Sequence, residues 1–285
     1  MQKKILLIGS NGFIGKALLP YLKKYYLIYT LNRNVLHENV RNICCDISKK
    51  NELKKKFINL PNFEYIINLS GQIQKNKLKM HNNIYIGNKN IIECFRNTKS
   101  ILVFFSTTLV YGHSDNYSNL KSLLKPQSDY AKIKVKTENL YRKNSKNFLI
   151  LRLGNVYDNE IKKKGLLKNL LNSIKNDTVF TVNKIESVRN YIHVDDLIRI
   201  MKKIIDKNIL NKTLNIGHQN ISNKSIIKIF EKTFKKMYKI KNLKKSYLSD
   251  PNIKINPNIL IKGLNYKFKN RIENSIKLNN EKKYL

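Results

Sequence analysis

The chain has 285 residues, 41% of them hydrophobic, enough to bury the core of one large or two modest domains. Its 56 Lys and Arg face only 19 Asp and Glu, and a formal charge of +37 ordinarily points to nucleic acid or a membrane surface. The lysines are spread along the whole chain among abundant Asn, Ile and Tyr, residues of A/T-rich codons, so genome composition accounts for the charge and no nucleic-acid partner is expected.

In chain order, the N-terminus leads into the apolar run Ile5-Leu6-Leu7-Ile8 without a signal-peptide core. No run of about eighteen apolar residues follows, so a soluble cytoplasmic protein with no membrane partner is expected. Gly9, Gly12 and Gly15 stand directly behind the run in a G-x-x-G-x-x-G spacing. Glycines there let the chain turn tightly and set backbone N–H groups against a pyrophosphate at a helix N-terminus. Further candidate strands lie at 27–31, 65–69, 101–105 and 148–153, with helical periodicity at 15–24, 51–59, 84–97 and 130–144. This alternation predicts an α/β fold, a doubly wound parallel Rossmann-type sheet that binds ligands beyond the C-terminal ends of its strands. Cys44, Cys45 and Cys94 lack metal-ligand spacing and read as reduced structural thiols, so no metal is expected.

After about Tyr157 the pattern changes to a helix near 165–176, a strand near 179–182, a segment 189–206 and an apolar run 214–217. Two further helical stretches follow, with a charged terminal helix from about Lys269. Residues 1–157 therefore read as a dinucleotide-binding domain to which 188–208 return. Residues 158–187 and 209–285 read as a smaller C-terminal substrate-binding portion.

Tyr130-Ala131-Lys132-Ile133-Lys134 places a phenol and an ammonium four residues apart, on one face of a helix. A phenol with a pKa of about 10 is a poor base at neutral pH, and a neighbouring cation favours its ionised form. Such spacing arises by chance in a lysine-rich chain. It gains weight from Phe104-Phe105-Ser106-Thr107-Thr108-Leu109-Val110-Tyr111-Gly112, which puts hydroxyls at the C-terminal end of a buried strand.

Together these residues resemble the extended short-chain dehydrogenases/reductases, in particular the NAD-dependent epimerase/dehydratase family that works on nucleotide sugars. The glycine spacing with its Gly12-Phe13-Ile14-Gly15 ending, the Val110-Tyr111-Gly112 strand end and the Tyr-x-x-x-Lys pair carry the likeness. The resemblance implies Tyr130 as acid/base at a sugar oxygen, Lys134 holding the nicotinamide ribose and lowering the Tyr pKa, and Thr107 hydrogen-bonding the reacting oxygen. Ser106 lies beside Thr107, and Thr108 is a weaker substitute. Family members that eliminate water carry an Asp-Glu pair directly after that Thr. This chain has Thr108-Leu109, which disfavours dehydration.

Cofactor contacts are implied for Gly9, Asn11, Gly12, Phe13, Ile14 and Gly15, for Asp46 and Ile47 beside the adenine, and for Leu69, Ser70, Tyr130 and Lys134. Ser70 departs from the small apolar residue usual beneath the cofactor. The end of the second strand, Leu31-Asn32-Arg33-Asn34, offers no carboxylate for the adenosine ribose. The Arg33 guanidinium suits a 2′-phosphate, so Asn32 and Arg33 favour NADP, with NAD as the alternative.

Arg152-Leu153-Gly154-Asn155-Val156-Tyr157 and Arg189-Asn190-Tyr191-Ile192-His193-Val194-Asp195-Asp196 resemble two further family blocks. They imply Asn155 and Arg189 as contacts to a substrate diphosphate and His193 as a structural residue. Asp158 replaces the usual Gly. The likeness ends with Asp250-Pro251 and the stretch from Pro257 to Gly263-Leu264. It implies a nucleotide-sugar substrate, and homodimers are common in the family. Reduction of a 4-keto-6-deoxy sugar nucleotide is favoured over an NAD-dependent 4-epimerase. A non-catalytic RNA-binding or complex subunit on the same fold is the third reading, and the Thr107, Tyr130 and Lys134 set argues against it.

Overall fold

The computed structural model describes residues 2–34, 37–71, 73–244, 250–256 and 263–281. Its elements begin with β1 (Lys4–Ile8), α1 (Phe13–Leu22), β2 (Leu27–Asn32), β3 (Arg41–Cys44), α2 (Lys50–Phe57), β4 (Tyr65–Asn68), α3 (Lys77–His81) and α4 (Gly87–Phe95). Next come β5 (Ile101–Thr107), β6 (Tyr117–Ser118), α5 (Asp129–Asn144), β7 (Phe148–Leu153), β8 (Asn155–Tyr157) and α6 (Leu166–Asn176). The last are β9 (Phe180–Val182), β10 (Val188–His193), α7 (Val194–Asp206), β11 (Lys212–Ile216), β12 (Gln219–Ser222), α8 (Asn223–Phe234), β13 (Ile240–Asn242), β14 (Lys254–Ile255) and α9 (Ile272–Glu281).

Seven strands form a large sheet in the order β11-β7-β5-β4-β1-β2-β3. Ile5–Ile8 of β1 are buried because the strand pairs in parallel on both sides, Ile5 facing Ile28 of β2 and Tyr65 of β4. Helices cover such a sheet on its faces, which explains why its strands read as continuous apolar runs. Strand order reverses between β1 and β4, and in open α/β sheets the crevice beyond that switch point receives ligands. Gly9 and Leu69-Ser70 follow the two strands there.

The chain divides into two compact units, the first made of Met1–Val110, Ser128–Arg152 and Met201–Leu214. The second comprises Tyr111–Gln127, Leu153–Ile200 and Asn215–Leu285. The segment 188–208, expected to return to the dinucleotide domain, is thus divided at Met201. In the first unit Leu6, Ile8, Leu31, Ile66, Ile91, Phe104, Tyr141 and Ile150 share one core. The second unit contains a three-stranded sheet, β12-β10-β8, and a separate core that includes Tyr157, Leu170, Phe180, Tyr191, Phe230 and Ile276. Pro257 lies outside the described residues.

Two elements depart from the sequence reading. Strand β3, Arg-Asn-Ile-Cys, buries only Ile43 and sits at the sheet edge, so it carries no apolar run to detect. The helix expected at 84–97 is preceded by α3 and a π-helical turn at Asn82–Ile86. Asn88 donates to the Ile84 carbonyl at 2.5 Å and receives Asn68 Nδ2 at 2.9 Å and Tyr141 Oη at 2.6 Å, so a buried polar network runs through the widened turn.

Gly15, in the first turn of α1, packs directly against the Ser10 backbone that follows β1. A Cβ there would stand 2.5 Å from both the Ser10 Cα and the Ser10 carbonyl oxygen, which are backbone atoms that cannot swing aside. Gly15→Ala is therefore expected to lower unfolding free energy by about 1–3 kcal/mol, the usual scale of overpacking. Urea denaturation of the parent and variant measures this.

Candidate functional site

The phosphate turn is built by backbone. Gly9 adopts φ +79°, a left-handed conformation that favours glycine, and a Cβ there would lie a tight 3.2 Å from the Ser70 nitrogen. Gly12 N–H donates to the Gly9 carbonyl at 3.1 Å and opens α1 without any side-chain cap. The start of α1 therefore faces this turn with helix polarity favourable to an anion. Ser70 Oγ is buried without a hydrogen-bond partner among the described residues. A glycine cradle, an uncapped helix start and an orphaned hydroxyl fit a dinucleotide pyrophosphate.

The neighbouring predicted contacts are more constrained. Asn32 is buried and donates to Ser10 Oγ at 2.8 Å, while Ser10 also meets His37 Nε2 at 2.8 Å. Asn11 Nδ2 donates to the Asn34 carbonyl at 3.1 Å. Arg33 is exposed. Asp46 Oδ1 accepts from Ser48 N–H and Oγ, and the Ile47 carbonyl accepts from Asn90. Leu69 N–H donates to Ile8 across the switch point, and Ser70 N–H donates to Asn68 Oδ1.

Helix α5 carries the titratable groups. Ser128 caps it by accepting from Ala131 N–H at 3.2 Å, and the helix then presents Tyr130, Lys134 and Glu138 at successive intervals of four residues, along one face. Lys134 is 2% exposed and donates to the Phe105 carbonyl of β5 at 2.7 Å. Its Nζ lies 4.7 Å from the Phe104 ring centroid and 5.5 Å from that of Tyr130. Two residues beyond that carbonyl, Thr107 Oγ1 accepts from Leu109 N–H at 3.3 Å, and among the described residues its O–H is free to donate. Ser106 instead donates to Glu138 at 2.6 Å, so its proton is committed.

Burial decides the local electrostatics. It pushes the Tyr130 phenol well above its ordinary value, and it pushes Lys134 down to about 7 against the opposing charge of Glu138. The expected lowering of the phenol by Lys134 is absent from the protein alone, because taking a phenolate out of water costs more than the nearby cation returns. Burial also works to raise Glu138, but hydrogen bonds and charge from Arg152, with further bonds from Ser106 and Arg142, hold this carboxyl below the usual range.

Glu138, Arg152, Asn68 and Asn88 escaped the sequence reading as site residues. The signal for the first two was present: an acidic side chain continues the four-residue spacing, and a lone Arg interrupts the apolar run of β7, where a charge must be paired.

Asn155 and Arg189 belong to the second unit, where both line a cavity of about 370 Å³ together with Tyr157, Lys163, Asn223 and Asp250. Arg189 donates to the Asp250 carboxylate and the Pro251 carbonyl. Of the five N–H donors of a guanidinium, two are thus engaged among the described residues. His193 is 1% exposed, accepts from Asp195 N–H at 3.1 Å and packs edge-on against Tyr157. Asp196, also buried, accepts from Tyr266 Oη, Lys269 N–H and Asn270, tying the start of α7 to the chain before α9.

The switch-point glycine turn on a large parallel sheet defines a dinucleotide-fold protein. The model of the NAD dependent epimerase/dehydratase family matches residues 5–217, and the chain belongs to that family. It is 26% identical over 264 residues to a dTDP-D-glucose 4,6-dehydratase of Dictyostelium discoideum, covering 79% of this chain and 61% of that protein. It is also 26% identical over 259 residues to the dTDP-4-dehydro-6-deoxyglucose reductase of Escherichia coli, covering 80% of each. The UDP-glucuronic acid 4-epimerase of Bacillus cereus, solved with UDP-glucuronic acid and NAD, superposes with a TM-score of 0.84. That likeness covers 99% of this chain and all of the other at 22% identity, and it is one of fold. Relatives in the family are nucleotide-sugar dehydratases, reductases and epimerases. Among the described residues no helix is long and apolar enough to cross a membrane, and no cluster of His, Cys, Asp and Glu could hold a metal ion.

The position of Lys134 has a thermodynamic consequence. Its folded value of about 7 lies below the usual lysine value, so between about pH 7 and 10 the unfolded chain binds more protons and stability rises with pH. In Lys134→Met that contribution vanishes. Denaturant unfolding at stepped pH should give a steeper rise for the parent than for Lys134→Met across this window, and parallel curves would contradict the buried amine.

Proposed function

We propose that the protein reduces the 4-keto group of a 4-keto-6-deoxy sugar nucleotide, using NADPH. The observation that carries this reading is the α5–β5 assembly, in which a phenol held protonated by burial lies beside Lys134, and a free Thr107 hydroxyl ends the strand that Lys134 grips. A neutral phenol is a proton donor, and reduction of a ketone requires a proton at the oxygen as well as a hydride at carbon.

In this reading Gly9, Gly12 and Gly15 with the start of α1 hold the pyrophosphate, and Ser70 offers beneath it a hydroxyl unpaired among the described residues. The bound nicotinamide dinucleotide supplies the hydride. Thr107 donates to the carbonyl oxygen and orients it, Tyr130 delivers the proton, and Lys134 holds the nicotinamide ribose while its charge eases loss of the phenolic proton. Arg189 and Asn155 bind the diphosphate, Arg189 being held by Asp250 with donors to spare.

Two details support this reaction over its neighbours. Thr108 and Leu109 provide no carboxyl group to protonate a leaving hydroxyl, which speaks against dehydration despite the Dictyostelium relative. Asn32 is engaged by Ser10 and Arg33 is exposed, with no acid at the end of β2, which suits a 2′-phosphate and a cofactor that exchanges after one hydride.

Purified protein offered GDP-, CDP-, UDP- and dTDP-linked 4-keto-6-deoxy sugars should oxidise NADPH. Tyr130→Phe should lose about 10²–10⁴-fold in kcat, the usual contribution of a positioned acid. Undiminished turnover in that variant, or inversion at C4 with dinucleotide retained, would overturn the assignment. Arg33→Ala should raise the KM for NADPH about tenfold and leave that for NADH unchanged, as loss of a charge-assisted phosphate contact requires.

A further inference from the structure

Glu138 is fully buried, and among the described residues its hydrogen-bond partners are Ser106, Arg142 and Arg152, none of which is given a role above. Its carboxylate accepts from Ser106 Oγ at 2.6 Å, from Arg152 Nε at 3.0 Å and Nη2 at 2.6 Å, and from Arg142 Nη2 at 2.8 Å. A buried ion pair contributes little net stability compared with apolar packing, so a carboxylate bound by two guanidiniums at this depth calls for another explanation. Two features of its place supply one. Ser106 is the residue before Thr107, and Lys134 stands one helical turn away on α5.

We propose that Glu138 is a positioning residue of the site: through Ser106 it fixes the strand end that carries Thr107, and its negative charge favours the ammonium form of Lys134 against burial. The inference rests on the roles given above to Thr107 and Lys134. The groups facing Lys134 are few. Among the described residues its own helix contributes the Tyr130 ring and Glu138, strand β5 contributes the Phe104 ring and the Phe105 carbonyl, and Gly71 lies beside the amine, where an added Cβ would stand 3.3 Å from Nζ. Glu138 is the charged side chain that acts on the amine, against desolvation. Arg152 and Arg142 bind the same carboxylate, so neutralising it would leave two cations uncompensated near a third. Glu138 touches no reacting atom. It works through Ser106 and through space.

The test follows the Lys134 side chain directly, in protein labelled with ¹⁵N at the lysine ζ position. Lys134→Arg assigns the resonance, which is then titrated in the parent, Glu138→Gln and Arg142→Met. The Lys134 midpoint should fall by about one unit in Glu138→Gln, where a negative charge is lost. It should rise in Arg142→Met, where a half-exposed positive charge is lost and folding is less at risk. Midpoints that stay in place in the folded variants overturn the electrostatic part, because a purely structural pair would change stability without moving them. Ser106→Ala should lower kcat about tenfold with KM and the Lys134 midpoint unchanged, as for a displaced catalytic hydroxyl. An unchanged kcat overturns the positional part. The titration needs no substrate, so it stands or falls apart from the proposed reaction, which Tyr130→Phe tests.

Discussion

A carboxylate with no access to water sits where α5, β5 and β7 meet, and the arrangement of the first unit follows from how it is satisfied. Glu138 receives a hydroxyl from β5, a guanidinium from β7 and another from its own helix. An unpaired charge there would cost several kcal/mol, so these elements cannot shift independently. Lys134 repeats the attachment one turn earlier, gripping the Phe105 carbonyl. The two contacts set the rotation of α5 against the end of β5, and that rotation decides which face of the helix shows Tyr130.

At Tyr130 and Lys134 two effects of opposite sign compete. Coulomb attraction between a phenolate and an ammonium favours the charged pair, and desolvation favours the neutral one. In the protein alone desolvation prevails, raising the phenol and bringing the amine to about 7. The site therefore rests with its proton on Tyr130, a state suited to giving a proton up when negative charge develops on a nearby oxygen. A free Thr107 hydroxyl and a charged Lys134 would both lower the cost of that transfer.

Much of this was legible in the sequence, for identifiable reasons. Strands buried on both faces, such as β1 and β5, announce themselves as apolar runs, while Gly9 takes a positive φ and Gly15 meets backbone within a distance no side chain tolerates. Strand β3 was silent because one buried Ile in four residues makes no pattern. The π-turn before α4 was silent because its stabilisation comes from Asn68 and Tyr141, distant in sequence and joined only by folding. Glu138 is silent for a related reason: its spacing from Lys134 is visible, but its value depends on Arg152 arriving from β7. The sign of the Tyr130 shift could not be read either, since it depends on the depth of burial, which spacing does not encode.

The account is tested most directly by the fate of the hydride. NADPH carrying deuterium at the transferable position of its nicotinamide, supplied with a 4-keto-6-deoxy sugar nucleotide, should place one deuterium at sugar C4 for each oxidised dinucleotide released. A product inverted at C4 without deuterium, or no consumption of either compound across the four nucleotide series, would contradict it.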